Sequence, residues 1–205
     1  MRARKKKNCD ARLERCSDYI VEKIEIPEGN EKPVFLEIGC GKGKFAVEVA
    51  EKENCLFYAI EIMKDIMVMA IEKGAAKQLD NIKYIIGSAD DLLEICPENS
   101  IDTIFLNFSD PWPKKRAAKR RLTHKNYLDR YKKLLKKDGI IAFKTDNHPL
   151  FEFSVEEIKE NGFEIFDYTE DLHESGIYNP AMTEYEERFT ELGQPIYHLK
   201  ARMKQ

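Results

Sequence analysis

Two carboxylates bracket a glycine turn in the first third of the chain. The segment Leu36-Glu-Ile-Gly-Cys-Gly-Lys-Gly43 puts Glu37 just ahead of Gly39 and Gly41, and Glu61 ends the apolar run Tyr58-Ala-Ile-Glu61, 22 positions after Gly39. Glycines at 39, 41 and 43 let backbone approach a ligand closely. An acid at the end of a second strand is placed to accept hydrogen bonds from both hydroxyls of a ribose. An acid ahead of the turn repels a pyrophosphate but suits a cationic amino-acid end. The dinucleotide fingerprint G-x-G-x-x-G fails because position 44 is Lys, and no Gly-Lys-Ser/Thr closes a phosphate-binding P-loop. S-adenosyl-L-methionine, with its adenosine, sulfonium and free amino acid, fits this set better than NAD or ATP, so the expected chemistry is methyl transfer.

A second constellation follows, Asn107-Phe-Ser-Asp-Pro-Trp-Pro-Lys-Lys-Arg116 and then Lys119-Arg-Arg-Leu122. Asp110 is expected at the carboxyl end of the sheet beside the methyl donor, with Pro111 and Pro113 stiffening the chain around Trp112. The run is strongly basic. Pro111 to Lys137 holds twelve Lys or Arg against Asp129 alone, a charge of +11; the remainder has 22 basic and 36 acidic residues, or -14, and the two parts give the net -3. A basic patch on an acidic body is a footprint for a phosphate backbone, and the tip Arg2, Arg4, Lys5, Lys6, Lys7 adds a second patch. Acid, rigid indole and dense cations together describe a pocket for a base on a polyanion.

These residues need a scaffold that brings strand ends together. Apolar runs predict strands over 34–38, 55–60, 82–86, 101–108 and 140–144; amphipathic stretches predict helices over 44–53, 63–78 and 123–136. Alternating strands and helices predict a parallel sheet covered on both faces. The last third differs. Strands are expected over 163–168 and 195–203, with an irregular acidic segment between them. Tyr197, Leu199, Ala201 and Met203 alternate with His198, Lys200 and Arg202, as suits a partly exposed antiparallel strand inserted in a parallel sheet. The reading divides the chain into a basic extension with a leading helix, 1–30, and a methyltransferase domain, 31–205.

With 205 residues, 42% hydrophobic and 35% charged, the chain has the size of one domain. No stretch approaches the roughly 20 uncharged apolar residues of a membrane helix, and no signal-type apolar segment follows the basic start. Five cysteines without a C-x-x-C pair argue against a disulfide framework and a zinc site. The histidines at 124, 148, 173 and 198 form no ligand spacing. A soluble, cytoplasmic protein that uses no metal is expected.

Four strings make the chain resemble a known family: Glu37-Ile-Gly-Cys-Gly-Lys-Gly43, Asn107 to Arg116, Phe143-Lys-Thr-Asp-Asn147 and Met182-Thr-Glu-Tyr-Glu-Glu187. It is similar, over about Val34 to Arg202, to the bacterial tRNA (guanine(46)-N7)-methyltransferases of TrmB type. The resemblance implies a class I S-adenosylmethionine-dependent methyltransferase fold, Rossmann-like, with a mostly parallel seven-stranded sheet, one antiparallel strand and helices on both faces. It assigns Glu37, Gly39, Gly41, Glu61, Ser88, Ala89 and Asp110 to the cofactor site, with Asp110 also the catalytic candidate. It assigns Lys114, Asp146, Thr183, Glu184, Tyr185 and Glu186 to a tRNA substrate. Lys115, Arg116, Lys119, Arg120 and Arg121 are the candidates for the RNA backbone. One position departs from the family: Ser88 in Ile86-Gly-Ser-Ala-Asp-Asp91 stands where an acid is usual, leaving Ser88 or Asp90 for the adenine side. No obligatory protein partner is implied, and monomer and homodimer both stay open. Two alternatives remain at this level: an RNA methyltransferase of exocyclic amines, which Ser109-Asp-Pro-Trp112 faintly suggests, and a non-enzymatic RNA-binding protein on the same fold.

Overall fold

A computed structural model describes residues 7–204, so most of the basic tip, Arg2 to Lys6, lies outside the described residues. Seven strands form one sheet: β1 (Val34–Ile38), β2 (Leu56–Glu61), β3 (Ile82–Ile86), β4 (Ile101–Asn107), β5 (Leu135–Thr145), β6 (Phe163–Thr169) and β7 (Tyr197–Met203). Their order is β3-β2-β1-β4-β5-β7-β6. β7 alone runs antiparallel, paired with β5 on one side and β6 on the other. The expected architecture is therefore present. Between β1 and β4 the chain order reverses, which opens a crevice at the carboxyl ends of those strands.

Among the described residues seven α-helices accompany the sheet: α1 (Cys9–Glu14), α2 (Lys44–Lys52), α3 (Lys64–Ala76), α4 (Leu92–Ile95), α5 (Lys125–Leu134), α6 (His148–Glu160) and α7 (Glu184–Glu191). Strand residues alternate between two cores. Leu36, Ile38, Tyr58 and Ile60 pack with Leu92, Leu128 and Phe151 of α4, α5 and α6; Phe57, Ala59, Phe105 and Ala142 pack with Phe45, Val49, Met67 and Ile71 of α2 and α3. Both clusters are apolar and nearly free of solvent, which is where the roughly 25 cal/mol per Å² of burial is gained.

Three differences from expectation have local causes. The stretch after Asn147 is a helix, because Asn147 Oδ1 caps the N–H of Leu150, Pro149 suits a first turn, and Leu150, Phe151, Ser154 and Ile158 form one buried face. The acidic segment before β7 contains α7, started by a reciprocal cap in which Thr183 and Glu186 each accept the other's backbone N–H. The basic helix α5 is shorter than expected, since Leu135 already pairs with Ile101 as β5 begins. Residues ahead of β1 belong to the packed body: Arg12 of α1 bridges Glu72 of α3, and Ile24 is buried with its N–H on the Ile95 carbonyl. Among the described residues no helix is long and apolar enough to cross a membrane.

Candidate active site

β1 ends in the glycine turn. Gly39 and Gly41 have φ of +82° and +56°, and a Cβ at either would meet nothing within 4 Å, so both face open space. Gly43 has a different task. A Cβ there would lie 2.5 Å from Ala70 Cβ, so its missing side chain lets α2 start against α3 rather than admitting a ligand. Glu61, at the end of β2, fastens the turn: its carboxylate accepts from the Gly41 N–H at 3.2 Å and the Met63 N–H at 2.8 Å. Each oxygen keeps a further lone pair for a ligand hydroxyl.

Glu37 is 1% exposed. Its Oε1 accepts from Asn107 Nδ2 at 2.8 Å, and its Oε2 has no partner among the described residues. Burial pushes its pKa up to about 7, against the pull of Asn107 and of Lys144. A buried carboxylate with a free oxygen and no cation in direct contact among the described residues is suited to an ammonium group.

Two cavities meet at this edge of the sheet, sharing Gly39 and Phe108. The first, about 300 Å³, is lined by Gly39, Glu61, Ile62, Ser88, Ala89, Asp110, Trp112 and Arg120 among others. It joins the acid that suits a ribose to apolar walls that suit a base. Ser88 lines it and caps the following turn through the Asp90 N–H; Asp90 points away, accepting from Tyr127 Oη and Arg130. Of the two residues that the sequence left open, Ser88 lines this cavity and Asp90 does not.

The second cavity, about 430 Å³, lies against Glu37, Gly41, Asn107, Phe108, Thr183, Glu184, Tyr185 and Arg188. Tyr185 packs on Phe108 with centroids 5.1 Å apart and donates to Asp146 Oδ2 at 3.4 Å; Asp146 itself lines neither of these two cavities. Glu184 faces the cavity and pairs with Lys73 of α3. Glu186 is separate from them. It is fully buried, bound to Lys144 and to the helix cap, and so positions its neighbours rather than facing the cavity.

The loop after β4 is strained where it carries Asp110. Phe108 and Trp112 have φ of +51° and +41°, a region that non-glycine residues enter only when their surroundings impose it. Arg121 holds the Trp112 side: its guanidinium donates to the carbonyls of Pro111 and Trp112 at 2.9 and 3.1 Å while stacking on Phe153, and on the other side the Phe108 N–H donates to the Lys144 carbonyl at 2.9 Å. Arg120 lies 4.3 Å over the Trp112 ring. These two arginines, expected from the sequence to face an RNA backbone, also hold the loop. Lys114, Lys115, Arg116 and Lys119 are exposed and have no ion-pair partner among the described residues. In α5 the charge is partly cancelled, because Lys125 and Lys132 both pair with Asp129 and Arg130 with Asp90. Four exposed cations without an ion-pair partner among the described residues thus follow Asp110 within nine positions, and Lys133 and Lys137 add two more farther along the run.

Asn107, Phe108, Lys42 and Arg188 also line the second cavity and were not singled out as site residues. Asn107 and Phe108 open the string that ends at Arg116, and Arg188 follows the Met182 to Glu187 string, so proximity to a motif was the available signal. Among the described residues no group of three or more His, Cys, Asp or Glu side chains is arranged to hold a metal ion.

A family model described as "Putative methyltransferase" matches residues 31–199. A tRNA (guanine-N(7)-)-methyltransferase of Streptococcus mutans is 40% identical over 98% of this chain and 100% of its own length. One of the same description from Lachnoclostridium phytofermentans is 42% identical, over 90% and 91% respectively. The solved structure of an antibiotic-related methyltransferase superposes with a TM-score of 0.60, covering 98% of this chain and 96% of that one at 17% identity, a likeness of fold.

Proposed function

The chain belongs to the tRNA (guanine-N(7)-)-methyltransferase family, and from that premise we propose that it transfers a methyl group from S-adenosyl-L-methionine to N7 of a guanine in the variable loop of tRNA. The observation that carries the reading is the placement of Asp110. It stands on a strained loop lining the ribose-side cavity, two residues after Phe108, which that cavity shares with the acceptor cavity, and exposed cations without an ion-pair partner among the described residues begin at Lys114.

When bound, the cofactor supplies an electrophilic methyl group on a sulfonium. Its adenosine is suited to the walls of Ile62, Ser88 and Ala89, its ribose to Glu61 and its ammonium to the free oxygen of Glu37. On the acceptor side, guanine offers N1–H and an exocyclic amine as donors, so the carboxylates of Asp110, Asp146 and Glu184 can grip that edge and leave N7 turned to the methyl. N7 is a neutral nitrogen with a lone pair. No side chain has to remove a proton before attack, and no thiolate or hydroxyl nucleophile is required. The chain's task is alignment, together with a carboxylate that tolerates the positive charge arriving on the purine. Lys114, Lys115, Arg116 and Lys119 are positioned to hold phosphates.

The direct test incubates the protein with unmodified tRNA and S-adenosylmethionine and maps the product by the chain cleavage that 7-methylguanine permits. Methyl label at another position, or none in RNA, would refute the reading.

Two variants probe the halves separately. Glu61→Ala is expected to weaken cofactor binding about tenfold or more, because charge-assisted hydrogen bonds of about 1.5–3 kcal/mol each are lost and the Gly41 turn loses its fastener. Calorimetry on the folded variant checks it, and unchanged affinity removes Glu61 from the site. Lys114→Ala, Lys115→Ala and Lys119→Ala combined should lower tRNA affinity for every tRNA and flatten its salt dependence by up to about three units of slope, leaving cofactor affinity intact. A parental salt slope would assign these lysines to a merely solvated face.

A further inference from the structure

One buried cation is absent from the scheme above. The side chain of Lys144, in β5, is 4% exposed and that of its partner Glu186 is 0% exposed. All three ammonium protons have acceptors: Glu186 Oε2 at 2.7 Å, Asn179 Oδ1 at 3.1 Å and the Ala181 carbonyl at 3.1 Å. The Phe45 ring closes the remaining side, 4.8 Å from Nζ. Every one of those acceptors belongs to the segment leading into α7 or to its first turn. In the sheet, Lys144 lies beside Asn107, the donor to Glu37, and beside His198 of β7. Glu186 meanwhile accepts from Asn179 Nδ2 and from the Thr183 N–H.

A buried ion pair is a poor device for stability alone, because apolar residues of the same volume commonly do as well. What it supplies is one defined arrangement. Here that arrangement joins β5, one residue before the pair Thr145-Asp146, to the segment that presents Thr183, Glu184 and Tyr185 to the acceptor cavity.

Resting on the reading of the site as a tRNA methyltransferase centre, we propose that Lys144 is a positioning residue for methyl transfer, its ammonium fixing the 179–186 segment over the acceptor cavity while presenting positive charge to Glu37. One side chain then sets both halves of the site. The groups that interact electrostatically with Glu37 are Lys144 of β5, Asn107 of β4, Glu61 of β2, Tyr84 of β3, Glu184 of α7 and the Cys40 thiol of the turn. Those facing Lys144 are Glu186, Glu37 and His198.

The test is Lys144→Met, which keeps length and removes charge. In the folded variant, KM for tRNA should stay within about twofold, since the exposed lysines are untouched, and kcat should fall at least about tenfold through misplacement of the acceptor. The pH midpoint of S-adenosylhomocysteine binding, measured by calorimetry without RNA, should move upward as Glu37 loses its positive neighbour. Parental kcat with a parental midpoint overturns the proposal. Because an unpaired Glu186 can itself unfold the protein, Lys144→Met combined with Glu186→Gln is measured alongside. That pair leaves neither of these charges buried and keeps an acceptor for the Thr183 N–H, so it should melt near the parent yet show the same kcat loss. Restored kcat and midpoint in the double variant would reduce Lys144 to a charge balancer and overturn the proposal, as would failure of both variants to fold. A parent that methylates no tRNA would instead overturn the functional reading, and the midpoint measured without RNA would still decide the role of Lys144.

Discussion

Asp110→Asn is expected to slow methyl transfer at least about a hundredfold while tRNA affinity changes little. Its carboxylate is exposed at the edge of the first cavity, on a loop whose backbone is fixed on both sides: Phe108 and Trp112 sit at positive φ, and Arg121 clamps the Pro111 and Trp112 carbonyls. Asn therefore cannot escape by moving the chain. It keeps one acceptor oxygen and turns the other into an amide donor, which opposes a guanine N–H or the cationic methyl donor. Losing a charge-assisted hydrogen bond costs about 1.5–3 kcal/mol, and leaving its partner unpaired adds a comparable penalty. At about 1.4 kcal/mol per factor of ten, the two together exceed a hundredfold. Affinity for tRNA should persist because phosphates are held by Lys and Arg elsewhere. Single-turnover rates at saturating cofactor measure this. An Asn variant within about threefold of the parent would make Asp110 a turn residue and shift the role to Asp146 and Glu184.

The convergence of the candidate cofactor residues was legible because its signals are local. A glycine turn between a strand and a helix, with an acid before it and another at the next strand end, has few other uses, and Glu37, Gly39, Gly41 and Glu61 do converge on one crevice. The strands themselves were legible for the same reason, including β7, whose alternation marks a strand even though its outer face proved less exposed than a simple two-sided reading implies. His198 is buried and its ring nitrogens have no partner among the described residues. The acceptor half was less legible, because its parts meet through tertiary contacts. A run of cations does not reveal that Arg121 turns inward to hold carbonyls while Lys119 beside it stays exposed. Nor does Thr-Glu-Tyr-Glu reveal that its last residue is sealed against Lys144, 42 positions earlier. Helix α6 escaped notice because its signal is a cap and a buried face, not a long amphipathic repeat.

Glu37→Gln should weaken cofactor binding by about a hundredfold or more and, in the same protein, stabilise the cofactor-free state at alkaline pH. The first effect follows from removing the carboxylate that suits the cofactor's ammonium at a site 1% exposed, where breaking a buried charge pair costs about 3–5 kcal/mol. The second follows from linkage. Glu37 is raised to about 7 in the folded chain from an ordinary 4.5, so between those values the folded state holds the proton more tightly than the unfolded state. Its contribution is therefore full below pH 4.5 and is lost as pH rises through 7, amounting to about 3 kcal/mol at roughly 1.4 kcal/mol per unit. Gln mimics the protonated acid and still accepts from Asn107 Nδ2, so the variant keeps that contribution at every pH. His198, lowered to about 4 by burial and by Lys200 and Lys144, acts in the opposite sense, since its contribution is lost as pH falls from 6.5 toward 4. The two slopes oppose each other in the parent, and the comparison must be variant minus parent at each pH, which cancels His198. Denaturant melts of the cofactor-free proteins should coincide below pH 4.5, diverge as pH rises from 4.5 to 7 and stay apart by a constant margin above it, with the Gln form more stable. Parental affinity for S-adenosylhomocysteine should rise about tenfold per unit up to pH 7 and then level, while the variant's stays flat. A variant that binds cofactor like the parent, or that melts lower at pH 8, would show that Glu37 serves the fold and not the ligand.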